Sequence, residues 1–203
     1  GVNVWFHQGD LGDIIACLPV IRQLGGGELI LGNWQGRGAR ELMTKERFDV
    51  IAPLLEKQPY LTKVTHQDDP TNVTHSTVDF RCKTPMRVGE SHTLVNWQAD
   101  HFGLGDVDLS PWLTNITPSE ESKSKVIFAR TARYQNPNFR VCNLGQYLDR
   151  AMFVGLEEEW IAFNVACGRQ VPWRKTANLL EVAELIADAD LTICNQSCVF
   201  WVA

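Results

Sequence analysis

Apolar runs of period two and apolar runs of helical spacing take turns along this chain, separated by short links rich in Gly, Asp and Asn. That alternation constrains the fold more than any other feature, because strand–helix–strand succession with short links produces parallel β/α packing. Residues 2–7 alternate around Val2, Val4 and Phe6 and read as a strand. In residues 13–24, Ile14, Cys17, Leu18, Ile21 and Leu24 recur at helical spacing, with Pro19 expected to kink or restart the helix. The glycines at 25–27 end it, and "ELILGN" reads as a second strand. Residues 36–58 read as one or two helices interrupted near Pro53, "LTKVTH" as a third strand and "STVDFR" as a fourth. "SHTLVNWQADHFG" reads as a helix with Ser91 as N-cap and Gly103 as stop.

Residues 104–124 break the rhythm with clustered polar and turn residues and two prolines, a linker signal. The rhythm then resumes. "KVIFAR" reads as a strand, "NLGQYLDR" as a helix and "AMFVG" as a strand. "LEEEWIAFNVACG" reads as a helix whose acidic first turn suits the helix dipole. "VPWRKT" reads as irregular or extended, "NLLEVAELIADA" as an amphipathic helix and "DLTIC" as a strand that turns through "NQS" into a final helix. The expected fold class is therefore α/β, with two Rossmann-like domains facing a cleft and the second incomplete. The expected boundaries are 1–110 for the first domain, 111–124 for the linker and 125–203 for the second. The apolar ending "CNQSCVFWVA", with no cap or polar tail, adds the expectation of a fragment lacking its last elements.

Composition narrows the function classes. Hydrophobic residues make up 44% of the 203 and charged residues 21%, as in soluble globular proteins. The net charge of −5 argues against nucleic acid as a partner, since a surface that tracks phosphates needs a basic excess. The seven tryptophans are dispersed and form no basic–aromatic stripe. No apolar run reaches the roughly 18 residues that span a bilayer. The six cysteines, Cys17, Cys82, Cys142, Cys167, Cys194 and Cys198, include no C-x-x-C pair and read as reduced, hence a cytoplasmic protein. The sequons at Asn72, Asn115 and Asn195 are then chance matches. The five histidines lack ligand spacing, so no metal site is expected.

Four constellations lie at the carboxyl ends of expected strands, where open α/β sheets place ligands. In "GDLGD", Gly9 and Gly12 allow a sharp turn and close backbone approach, while Asp10 and Asp13 either cap the helix or meet a ligand. The stretch is neither G-x-G-x-x-G nor a P-loop. In "ARTARYQNP", Arg130 and Arg133 offer forks that suit phosphate oxygens, and Tyr134 a ring and hydroxyl; a solvated loop is the plainer alternative. In "GLEEEW", Glu157 and Glu158 either reach ribose hydroxyls or cap a helix. In "CNQS", Asn195, Gln196 and Ser197 either form an anion site at a helix N-terminus or supply its cap. Two facing halves would bring all four together.

"GDLGDIIACLPVIRQL" resembles the opening of the heptosyltransferase-like glycosyltransferases, family nine, of GT-B fold. "RTARYQNPNF", "FVGLEEEWIAF" and "LLEVAELIADADLTICNQS" resemble the donor-binding half of small members of that family. The likeness is strongest over 8–24 and 127–200 and weak over 34–120. It implies Asp13 as catalytic base, with Gly9, Asp10 and Gly12 in the acceptor-side loop. It further implies Arg130 and Arg133 near the donor diphosphate, with Tyr134 of the same loop also donor-binding, an unspecified glutamate of 157–159 on the nucleoside, and Asn195, Gln196 and Ser197 on the donor's sugar and phosphates. Typical members continue beyond this point, which implies a C-terminally truncated member.

The resemblance implies an inverting, metal-independent transfer of a sugar, such as heptose from ADP-heptose, to a glycan or lipid-linked glycan acceptor such as growing lipopolysaccharide. The donor is a substrate, and no cofactor is expected. The setting is cytoplasmic, or peripheral to the inner membrane. Two alternatives stay open: a non-catalytic sugar-nucleotide-binding protein or degenerate relative, and a sugar-nucleotide epimerase of GT-B type using Glu158 or Glu159.

Overall fold

β1 (Val4–His7) lies between two parallel neighbours, β2 (Gly27–Leu31) and β4 (His75–Ser76), and β3 (Leu61–His66) extends the sheet beyond β2. The order is therefore β3-β2-β1-β4. The computed structural model describes residues 1–35, 41–76, 93–133 and 135–203. The chain divides into two compact units, Gly1–Asn115 and Ile116–Ala203. Each is α/β with a parallel sheet, compatible with the Rossmann-like class.

In the first unit, Trp5, Phe6 and His7 of β1 are all buried, as expected of a parallel strand covered on both faces. The Trp5 indole N–H donates to the Gly26 carbonyl at 2.9 Å. α1 (Leu11–Gln23) runs unbroken through Pro19, and α2 (Lys45–Glu56) through Pro53. The interruption expected near Pro53 and the restart expected at Pro19 are thus corrected, for an energetic reason. A proline inside a helix costs about 3 kcal/mol. Burying one large aliphatic side chain returns about 1.5–3 kcal/mol, and Ile14, Ile15, Leu18, Val20 and Ile21 of α1 are all buried. α3 (Leu94–His101) is capped by Thr93, whose hydroxyl accepts from Asn96 N. Ser91, the expected cap, lies outside the described residues, as does the fourth-strand stretch beyond Ser76.

Residues 106–115 are fastened to the first unit. Arg22 donates to the carbonyls of Asp108, Ser110 and Pro111, at 2.9, 3.1 and 2.9 Å. The Tyr60 hydroxyl donates to Trp112 O at 2.6 Å, and Thr114 N to Gln58 Oε1 at 2.8 Å. The division between the units falls after Asn115, inside the stretch expected as a linker.

In the second unit β5 (Val126–Ala129) is central, with β6 (Ala151–Phe153) on one side and β7 (Leu191–Cys194) on the other, all parallel. The helix expected over "NLGQYLDR" is broken at Gly145 into a 3₁₀ turn, Val141–Leu144, and the single-turn α4 (Gln146–Asp149). α5 (Glu157–Cys167), α6 (Leu179–Asp188) and α7 (Cys198–Val202) follow. Phe163 of α5 packs on Phe128 and Phe153, with ring centroids 5.1 Å apart in each pair. Trp173 pairs with β6 through an isolated bridge and stacks on Trp160 at 5.4 Å. The described cysteines Cys17, Cys142, Cys167, Cys194 and Cys198 are free thiols; Cys82 is outside the described residues. Among the described residues no helix is long and apolar enough to cross a membrane.

Two predictions follow from local geometry. Gly27 has φ +129°, and a side chain there would begin 2.2 Å from the Asn3 carbonyl oxygen. Gly27→Ala is expected to lower unfolding free energy by about 2 kcal/mol or more, measured in urea. The second concerns Glu159, whose Oε2 accepts from Leu156 N at 3.0 Å and closes the start of α5. Burial holds its carboxyl above the usual range, against the opposing pull of that backbone bond. The folded state therefore takes up a proton more readily than the unfolded one. The stability this contributes is complete below the unfolded pKa and falls as pH rises through the folded value. Glu159→Gln, which keeps the acceptor, is expected to flatten that descent in a stability–pH profile.

Candidate ligand site at the strand ends

Both sheets have the same design at their centre. A first strand is flanked on one side by the next strand in sequence and on the other by a later one. The chain departs to opposite sides, and a crevice is left at the carboxyl ends. In the first unit this place lies between β1 and β4, and in the second between β5 and β7.

At the first of these places, Asp10 occupies the N-cap of α1 in extended conformation, but its side chain makes no capping bond. Its carbonyl accepts from Ile14 N at 3.1 Å. Gly12 and Asp13 lie in the first turn, where a carboxylate suits the dipole. A β-carbon on Gly9 would lie 2.8 Å from His7 Cε1, 3.2 Å from His7 Nδ1 and 3.5 Å from Asp13 Cβ. The His7 ring therefore closes on a backbone position that only glycine fills without displacement, with Asp13 Cβ at ordinary contact distance beside it. Asp13 is half-buried, and its carbonyl accepts from Gln98 Nε2 at 2.9 Å, which ties the helix start to α3. Burial, with a smaller contribution from Asp13, pushes the Cys17 thiol far up, so it stays protonated. His7 was not singled out in the sequence; the available signal was a polar residue closing an apolar strand.

At the second place a cavity of about 720 Å³ opens, within the size range of small-molecule pockets. Phe128, Phe139 and Phe200 give it aromatic walls, and Arg130, Gln135 and Asn195 are among its polar groups. No Asp or Glu side chain lines it among the described residues, while Arg130 does. Its charged side chain is thus cationic. The Arg130 guanidinium donates to Gln135 Oε1 at 2.9 Å, and Gln135 Nε2 donates to Thr131 O at 2.7 Å. Asn195, just past β7, reaches back to the loop after β5. Its Oδ1 accepts from Thr131 N at 2.9 Å, and its Nδ2 donates to Thr131 Oγ1 at 3.0 Å, to Thr131 O at 3.2 Å and to Arg133 O. Gln135 is a second residue the sequence reading passed over; only its proximity to Arg130 would have flagged it.

The remaining expected residues are not brought to this cavity. Arg133 is exposed and does not line it. Tyr134 lies outside the described residues. Glu157 and Glu158 are exposed in the first turn of α5, which follows β6, and are not among the residues that line the cavity. Gln196 is exposed, and Ser197 occupies the N-cap of α7 without a side-chain capping bond. Neither Asn195 nor Ser197 therefore caps through its side chain: Asn195 turns to the β5 loop. Cys194 lines the cavity, but burial raises its thiol pKa and that of Cys198, the latter to about 11. Neither is a thiolate nucleophile near neutral pH. Among the described residues no group of three or more His, Cys, Asp or Glu is placed to hold a metal.

A wall of aromatic rings beside a single guanidinium suits a ligand with a flat or apolar part and an anionic part. Comparisons of the chain with family models, curated proteins and solved structures gave no match.

Proposed function

We propose that the protein is a glycosyltransferase of the inverting type that uses a nucleoside-diphosphate sugar. The observation that carries the reading is the β5–β7 cavity, with aromatic walls and Arg130 as its charged side chain. The donor's nucleoside and diphosphate occupy that cavity. The reading includes the two-domain GT-B plan, a glycan or lipid-linked glycan acceptor on the first unit, and a cytoplasmic or inner-membrane-peripheral setting.

In the reaction an acceptor hydroxyl attacks the anomeric carbon from the face opposite the diphosphate. The new C–O bond forms as the bond to the diphosphate oxygen breaks, and the diphosphate leaves with the electron pair. The acceptor proton passes to Asp13. An alcohol is far less acidic than a carboxylic acid, so the proton moves late, as attack removes electron density from the oxygen. Such general-base assistance is worth roughly 10²–10⁴-fold. Arg130 meets the charge gathering on the diphosphate through charge-assisted hydrogen bonds, exchanging Gln135 for phosphate oxygen. No metal ion and no cofactor take part in this scheme.

The cavity and Arg130 support binding even without transfer, so a non-catalytic sugar-nucleotide-binding protein is the second reading. Calorimetry with ADP, UDP and their sugars, paired with a transfer assay, separates the two. Asp13→Asn is expected to cut transfer by about 10²–10⁴-fold while leaving nucleotide affinity nearly unchanged. Arg130→Ala is expected to weaken nucleotide binding by about tenfold or more. Full turnover by Asp13→Asn removes Asp13 from the role, and tight binding with no transfer to any acceptor favours the second reading.

A further inference from the structure

We propose that Asn195 is a positioning residue, which locks the loop after β5 so that Arg130 is presented to the cavity, and that it does not itself hold the ligand's anionic group. The proposal rests on the reading of the β5–β7 cavity as an anion-bearing ligand's site.

The hydrogen-bond inventory of one side chain carries it. An asparagine amide has two N–H donors and one carbonyl oxygen. Those two donors are shared among Thr131 O, Thr131 Oγ1 and Arg133 O, and the carbonyl oxygen accepts from Thr131 N. An anion needs donors, and Asn195 has committed both of its own to the loop. The loop in turn holds the cation. Thr131 O also accepts from Gln135 Nε2, and Gln135 Oε1 accepts from the Arg130 guanidinium. A continuous chain of hydrogen bonds therefore runs from the end of β7, through Asn195, Thr131 and Gln135, to Arg130.

The consequence is entropic. A free arginine has many rotamers to lose on meeting a ligand, and a residue already held near its working position loses fewer. Asparagine suits the task better than its neighbours in chemical space. Aspartate keeps the acceptor but turns a negative charge toward two carbonyl oxygens. Alanine supplies neither function.

The test is a double-mutant cycle with ADP and inorganic pyrophosphate as probes, in the full chain. Asn195→Ala is expected to weaken both by about three- to tenfold, and to have no further effect once Arg130 is alanine. Losses that multiply in the double variant would mean that Asn195 touches the ligand directly, and would overturn the proposal. Asn195→Asp, nearly isosteric, is the second variant should the alanine chain fail to fold, and the same loss is expected of it. Amide hydrogen exchange in the ligand-free chain tests the lock alone. Protection of the Thr131 N–H is expected to fall in Asn195→Ala and to persist in Thr131→Ser; unchanged exchange in Asn195→Ala refutes the lock. If the unaltered chain binds neither probe, the reading of the cavity fails and the ligand half of the proposal fails with it, while the exchange result still decides the lock.

Discussion

A strand whose two neighbours are reached by connections leaving in opposite directions has no chain crossing its carboxyl end. That constraint governs both units. β1 is flanked by β2 and β4, and β5 by β6 and β7. Parallel pairing aims every strand of a sheet the same way, so the loops that leave the central strand and its late neighbour share one edge. Whatever polar chemistry the sequence places in those loops meets there, while the helices bury the apolar faces elsewhere. The Gly9–Asp13 turn and the Arg130–Gln135 loop owe their positions to this, not to any local conformational preference of their own.

The two sites differ in what they offer. In the first unit the crowding is by a side chain: the His7 ring presses on Gly9, and Gln98 pins the helix start from α3. In the second unit it is between loops, with Asn195 spanning from β7 to the turn after β5. The first arrangement fixes the backbone at the start of a helix whose first turn carries a carboxylate. The second fixes a cation beside an aromatic cavity.

Much of the fold could be read from residue spacing, because burial periodicity is local. Val4–His7, Leu61–His66 and Val126–Ala129 fall within the runs that announced them. The amphipathic α6 lies within its expected stretch, with Asn178 accepting from Glu181 N at 3.1 Å as a true cap. Local rules misled where long-range packing outweighed them. Pro19 and Pro53 sit inside continuous helices because the faces around them are buried. Residues 106–115 have the composition of a linker, yet Arg22, Tyr60 and Gln58 hold them, across sequence separations that composition does not encode. The site was legible in outline only. Its loops could be named from their position after strands, but the direction of the Asn195 amide arises from the pairing of β5 with β7, and the bond from Arg130 to Gln135 from the path of a loop whose spacing has no regular period. The acidic run after β6 opens α5, where Glu159 closes the helix start on Leu156 N, and Glu157 and Glu158 stay exposed.

The central claim is that the β5–β7 crevice receives the diphosphate end of a nucleotide ligand. A crystal structure of the chain saturated with a nucleoside diphosphate tests it most directly. The account predicts phosphate oxygens within hydrogen-bond reach of Arg130 and the base against Phe139 or Phe200. Nucleotide bound elsewhere on the chain, with this cavity left vacant, would contradict it.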